Sequence, residues 1–198
     1  MKTKFSYKLF ILILSFSVFA FFTSCKTNSL AKSEMKAKNK IVLDSLYALE
    51  NYKVDIEVMY PFNTTATAQV ANALLINTGN TSSRIDVRGD GNFIEIRNDS
   101  VLAYLPFFGE SRISGGGVGG RSIAIQLEEP LDELKKNINT DKGKLELEFN
   151  ATQAEGDNDR YKIKIDLFAN KNAVVDISPV YRTFIKYDGT LAKNNDEK

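Results

Sequence analysis

SGGGVGGRSIAIQLE, residues 114–128, decides the fold. Its glycines satisfy G-x-G-x-x-G at Gly115, Gly117 and Gly120, with Gly116 and Gly119 among them. A dinucleotide-binding loop of that pattern leaves a strand and opens a helix, whose N-terminus holds the pyrophosphate. The residues after Gly120 read otherwise. Ile123, Ile125 and Leu127 recur at every second position, which is the period of a half-buried strand. SVLAYLP (residues 100–106) supplies a strand before the loop. With a strand on each side and no helix, no nucleotide is expected. Glycines accept positive φ and close backbone approach, so the run reads as a wide hairpin loop or a sharply bent strand. The functional alternative is a mobile flap over a pocket. Tyr104, Phe107 and Phe108 stand beside it and would line an apolar site.

The same period runs through most of the chain. YKVDIEVMY (residues 52–60) sets Val54, Ile56, Val58 and Tyr60 against Lys53, Asp55, Glu57 and Met59. RIDV and FIEIR repeat the alternation on either side of RGDGN, whose Asp90-Gly91 pair predicts a hairpin between them. KLELEFN, RYKIKIDLF, AVVDI and RTFIKY follow, giving eight or nine strands punctuated by turn residues. PLDELKKNIN (residues 130–139) fits a short helix or a strand. Clean alternation implies antiparallel pairing with one buried face. One face of one open sheet cannot bury itself, so the sheet must close on itself or split into two layers. The expected fold is therefore all-β and mainly antiparallel, a β-sandwich or a barrel-like closed sheet. One N-terminal α-helix is expected over residues 33–49, capped by Ser33, with Leu43, Leu46, Tyr47 and Leu49 as its apolar face. No other long segment shows a helical period. A single domain is expected over residues 33–192, followed by a disordered tail at 193–198.

Composition removes several chemistries. The 198 residues include no histidine, and the one cysteine is Cys25. Ser-His-Asp and Cys-His catalysis, an intrachain disulfide and cysteine-based zinc sites are excluded. Basic and acidic residues nearly balance, 26 against 25. No basic field attracts nucleic acid, and no cofactor is expected. AEGDNDR (residues 154–160) clusters oxygen ligands, but it lacks the later glycine and glutamate of a calcium loop and reads as a solvated hairpin tip. Asp132 and Glu133 are adjacent, and in a strand they would point to opposite faces. Lys162 and Lys164 are two charges on an outer strand face, a weak footing for lipid headgroups.

The N-terminus carries the clearest address. MKTKFSYKLFILILSFSVFAFFTSC (residues 1–25) has a basic start at Lys2, Lys4 and Lys8 and an apolar run from Leu9 to Phe22. Small residues Thr23 and Ser24 then precede Cys25. This is the layout of a secretory signal, and its apolar run is short for a membrane span. Ending at cysteine, it resembles a bacterial lipoprotein signal with FTSC as the lipobox. That resemblance implies cleavage after residue 24, lipid on Cys25, and a tether over residues 25–32 leading into the helix. Several acyl chains anchor lastingly where one would not.

LPFFG (Leu105 to Gly109) before the glycine run, and YRTFIKYDGTL near the end with Arg182, Ile185, Tyr187 and Gly189, resemble one family. The chain is similar over residues 33–192 to the Bacteroidota lipoproteins of domain of unknown function 4251. Phe107 stands where tyrosine is usual. The resemblance implies address and architecture and carries no catalytic residue. Many surface-exposed lipoproteins of Bacteroidota carry acidic residues just after the cysteine, whereas Lys26, Thr27, Asn28 and Ser29 follow here. An outer-membrane anchor facing the periplasm is the corresponding expectation.

The function expected is a non-catalytic envelope binding module for an apolar ligand or an envelope protein. The alternatives are a carboxylate-dependent hydrolase of envelope glycan or lipid, and a structural subunit of an envelope complex.

Overall fold

The computed structural model describes residues 26–110, 124–154 and 159–192. Helix α1 spans Lys26–Tyr47, and strand β1 (Asn51–Pro61) follows. A second helix, α2 (Thr65–Leu75), precedes β2 (Ile85–Asp86), β3 (Phe93–Arg97) and β4 (Ser100–Pro106). After the glycine run come β5 (Ala124–Pro130), β6 (Lys135–Asn139), β7 (Lys144–Thr152), β8 (Arg160–Phe168), β9 (Asn172–Pro179) and β10 (Ile185–Leu191). The segment after the glycines is a strand, as its alternation requires. PLDELKKNIN resolves to strand β6.

All ten strands belong to one sheet, ordered β5-β4-β3-β1-β10-β9-β8-β7-β6, with β2 beside β1. Every pairing is antiparallel. Two meanders, β3 to β5 and β6 to β10, are joined through the β1–β10 pair. The edges of this sheet, β5 and β6, are consecutive in the chain and separated only by residues 131–134. Laid flat, nine strands at about 4.8 Å spacing would hold those edges about 38 Å apart, whereas such a link reaches about 17 Å. The sheet therefore has to curl, and β5 comes against β7. Of the two arrangements compatible with the alternation, the described strands take the barrel-like one, a single sheet curled into a half-barrel.

The seam is visible at residue level. Ala154 N–H donates to the Gln126 carbonyl at 2.8 Å, and Thr152 N–H donates to the Glu129 carboxylate at 2.5 Å. Gln153 bridges with its side chain. Its amide oxygen accepts the Gln126 N–H at 3.3 Å and the Tyr161 hydroxyl at 2.7 Å, and its amide nitrogen donates to the Ala124 carbonyl at 3.4 Å. The glutamine thus replaces ladder bonds where β7 and β5 diverge. Gln153→Ala should cost about 2 kcal/mol, since it strips buried polar partners on both strands. Thermal unfolding measures this, with faster hydrogen exchange at the Gln126 amide. Unchanged stability and exchange would mean the seam holds without the bridge.

Inward residues of all the long strands form one continuous core with Leu43 and Leu46 of α1. Three buried tyrosines line it, and each donates its hydroxyl inside the protein: Tyr52 to the Leu46 carbonyl, Tyr161 to Gln153, and Tyr187 to the Pro106 carbonyl. Burial, with Tyr47 nearby, pushes the Tyr52 phenol up to about 12. Burial also holds Tyr187 far above its ordinary range. Lys136 closes the end of the barrel beside α1, donating to the Leu49 carbonyl at 2.7 Å and the Tyr52 hydroxyl at 3.1 Å.

Several expectations need correction. Helix α1 already runs from Lys26, within the expected tether, so Ser33 lies inside the helix and not at its N-cap. Leu43 and Leu46 face the core, while Tyr47 is exposed. RGDGN joins no hairpin. β2 and β3 both pair with β1, Met59 opposite Ile85 and Asp55 opposite Phe93, so they run in the same direction. Val87 N–H bonds the Glu57 carbonyl and Ile56 N–H bonds the Asn92 carbonyl. The positive φ of Gly91 serves a bulging excursion along one edge of β1. The hairpin chemistry operates instead at Asn98-Asp99, the two-residue link between β3 and β4, where Asn98 takes a φ of 49°. Helix α2 was not expected.

Candidate functional site

The two ends of the barrel differ. Helix α1 covers one, where Lys36 pairs with Asp141 at 3.1 Å. Antiparallel register places the other end at the C-termini of β1, β4, β7 and β9 and the N-termini of β5, β8 and β10. Pro61 lies opposite Ile185, Pro106 opposite Ala124, and Tyr161 opposite Pro179. Glu110 and Ala124, the described residues flanking the glycine run, both lie at this open end.

Below its surface the end is tied by polar contacts. Asp159 and Arg182 are 1% and 3% exposed. Arg182 Nε stands 3.2 Å from Asp159 Oδ2, and Asp159 Oδ1 accepts the Tyr181 N–H at 3.2 Å. The guanidinium also sits 5.1 Å from the centre of the Phe107 ring, so it is matched by a carboxylate and an aromatic face. Thr183 N–H donates to the Glu110 carbonyl at 2.9 Å, and Glu110 N–H donates to Thr183 Oγ1 at 3.0 Å. Gly109 has no room for a side chain, because a Cβ there would lie 2.5 Å from both Phe107 Cζ and Thr183 Oγ1. With Tyr187 bonded to Pro106, the LPFFG segment and the C-terminal Arg182–Gly189 segment pack on each other. The co-occurrence of these motifs is thus a packing relation.

The surface of this end is apolar and aromatic. Phe62 (64% exposed), Phe108 (55%), Val180 (54%), Tyr181 and Phe184 all project there. Phe62 and Phe184 adjoin the Pro61–Ile185 pair. Helix α2 extends the surface with Val70 and Ile76, the latter 77% exposed. From Phe62 to Ser83 the sequence carries no charged residue. Glu110 tethers the helix, its carboxylate accepting both Thr64 N–H at 3.2 Å and Thr64 Oγ1–H at 2.8 Å. A carboxylate at a helix N-terminus is favourable, and Thr64 makes no side-chain cap of its own.

The sequence-predicted positions fall as follows. Phe107 is buried against Arg182, Phe108 is on the rim, and Tyr104 is exposed on β4. Gly115, Gly116, Gly117, Gly119, Gly120 and Cys25 lie outside the described residues, as do the leader and the tail. Of the AEGDNDR acids, Glu155 and Asp157 also lie outside, and Asp159 is no solvated tip: Arg182 draws it inside. Asp132 and Glu133 occupy the β5–β6 link, with Glu133 3.6 Å from Lys135. A polar groove of about 660 Å³ beside the rim is lined by Glu129, Asp132 and Arg160 among others, but the Glu129 carboxylate is engaged at the seam.

A charge ladder covers the outer face of β7 to β10. Lys144, nearly buried, lies 2.8 Å from Glu146 and 2.5 Å from Asp166. The Lys144 ammonium is the main reason the Glu146 carboxyl falls to about 2. Burial raises Asp176, whose cross-strand neighbours are Lys164 and Lys186. Lys162 and Lys164 also pair with carboxylates, on Glu148 at 3.0 Å and on Glu146 at 3.5 Å. None of these acids lines the groove.

The sequence model of the family described as "Domain of unknown function (DUF4251)" matches residues 31–191. The chain belongs to this family. No curated protein and no solved structure matches it. The DUF4251 match takes in α1 from Ala31 onward and runs to the last residue of β10, so the family unit is the barrel with its helix. No helix among the described residues is long and apolar enough to cross a membrane, and those residues contain no group of three metal-ligating side chains.

Proposed function

We propose that this DUF4251 domain is a non-catalytic binding module of the bacterial cell envelope. It is a Bacteroidota-type lipoprotein, held to the outer membrane by lipid on Cys25, and it binds an envelope protein through its open-end rim. The observation that carries this reading is the polarity of the barrel. One end is covered by the helix that adjoins Cys25, and the other exposes Phe62, Phe108, Val180, Tyr181 and Phe184 beside an uncharged helix. Exposed apolar patches of that kind mark interaction surfaces, and aromatic residues are enriched in binding hot spots. A protein partner is favoured over an apolar ligand inside the barrel because the inward side chains already form one packed core. Carboxylate hydrolysis draws no support from Asp159, which is matched to Arg182.

Photocrosslinking in intact cells tests the reading. A photoreactive residue at Phe108 or at Phe184 should yield an adduct with the same protein, and one at Lys162 should not. Phe62→Ser should abolish both adducts while leaving the melting temperature nearly unchanged, as surface substitutions do. Adducts only with lipid, adducts of different mass at the two sites, or none at either would overturn the rim as a protein-binding site.

A further inference from the structure

Charge divides the molecule as sharply as apolarity does. Residues 26–42 carry five lysines and one acid, Glu34, a formal charge of +4. Residues 43–198 carry 18 basic and 24 acidic side chains, a formal charge of −6. The cationic part is the first three-quarters of α1, and its described side chains are exposed apart from half-buried Asn39, with Lys36 reaching Asp141 on the barrel. Residues 31–38 are exposed throughout, and Leu43 and Leu46 are the buried side chains that dock the helix. At 1.5 Å per residue, the stretch ahead of Lys36 runs on for about 15 Å past that contact. Among the described residues Lys32 and Lys38 make no ion pair, and the Lys40–Asp44 pair at 3.2 Å is exposed on both sides. Met35 and Ile41 are exposed apolar side chains on the same segment.

We infer that the exposed half of α1 lies on an anionic lipid surface, with its lysines among the headgroups and its apolar side chains at the headgroup–acyl boundary. This rests on the lipoprotein reading, which attaches acyl chains to Cys25, the residue next to the helix. Cationic segments beside an anchor add attraction to anionic headgroups, and the attraction fades within a Debye length. The same field repels the −6 body. Helix down and barrel away, the molecule turns its aromatic rim from the membrane that holds it.

The test uses the chain from residue 25 onward with Cys25→Ser, so that no acyl chain contributes. The core begins at Leu43, so removing the leader leaves it whole. Sedimentation with vesicles of phosphatidylglycerol and phosphatidylcholine should show binding that high salt reverses, and pure phosphatidylcholine should show none. Lys32→Gln, Lys38→Gln and Lys40→Gln together should weaken it on the order of a hundredfold. These side chains are exposed, so the melting temperature should hold. No binding to the anionic vesicles, equal binding to both kinds, or full binding by the triple variant would overturn the inference. Lipidation is read separately, from the mass of the wild-type chain extracted from cell membranes. An unlipidated mass there would sink the anchor while leaving the vesicle result standing.

Discussion

Arg182→Met should destabilise the protein by about 3–5 kcal/mol, the usual cost of stranding one partner of a buried ion pair. Asp159 is 1% exposed, so water cannot replace the guanidinium. The Phe107 ring loses the same cation. Urea unfolding gives the value. Asp159→Asn combined with Arg182→Met should recover part of the loss, because the amide leaves no uncompensated charge. The coupling between the two changes then isolates the pair. A single-variant cost below 1 kcal/mol would mean that the pair does not organise the open end. The position matters beyond stability: Tyr181, Thr183 and Phe184 flank Arg182, so a loosened Arg182 should also loosen the rim.

Gly189→Ala should cost about 3 kcal/mol, the upper part of the range for overpacking a filled site. A Cβ at residue 189 would stand 2.3 Å from the Asp55 carbonyl oxygen and 3.0 Å from Val54 Cγ1. The obstacle is backbone, which cannot rotate away. Gly189 lies opposite Ile56, where the β1–β10 register shifts by a bulge. Among the described residues that pairing is the strand ladder that joins the two meanders, the β5–β7 seam being a few bonds, so prying it apart strikes the whole barrel. Thermal unfolding together with hydrogen exchange along β1 measures the effect. A variant that melts like the wild type would show that β10 can shift without opening the join. The two glycines of the family motifs thus share one role. Gly109 and Gly189 are places where a second segment of chain occupies the volume of a side chain.

Much of the barrel was legible because its cause is local. Alternation at YKVDIEVMY, KLELEFN and RYKIKIDLF needs only a strand and one wet face, and each became a strand close to its expected bounds. Helix α2 was not legible. TATAQVANALL mixes alanine, threonine and apolar residues with no charged face to set a period, and the carboxylate at its N-terminus comes from Glu110, far along the chain. RGDGN misled for a related reason. Gly91 does take positive φ, but a turn residue states only that the backbone can deviate, and its partner strand decides whether the chain reverses. Asp159 misled because burial of a carboxylate depends on a cation at the same place in space, and Arg182 gives no sign of that in the sequence.

By itself the sequence determined the strands, their antiparallel sense, the helical start, the missing histidine chemistry and the family motifs, because period and composition act over neighbouring residues. Tertiary structure alone decided that one sheet curls into a half-barrel, that LPFFG packs against the C-terminal arginine, and that exposed aromatics gather at the end opposite α1. Those outcomes depend on which distant segments share a volume: the four-residue link between the sheet edges, the Asp159–Arg182 pair and the space kept clear at Gly109 and Gly189.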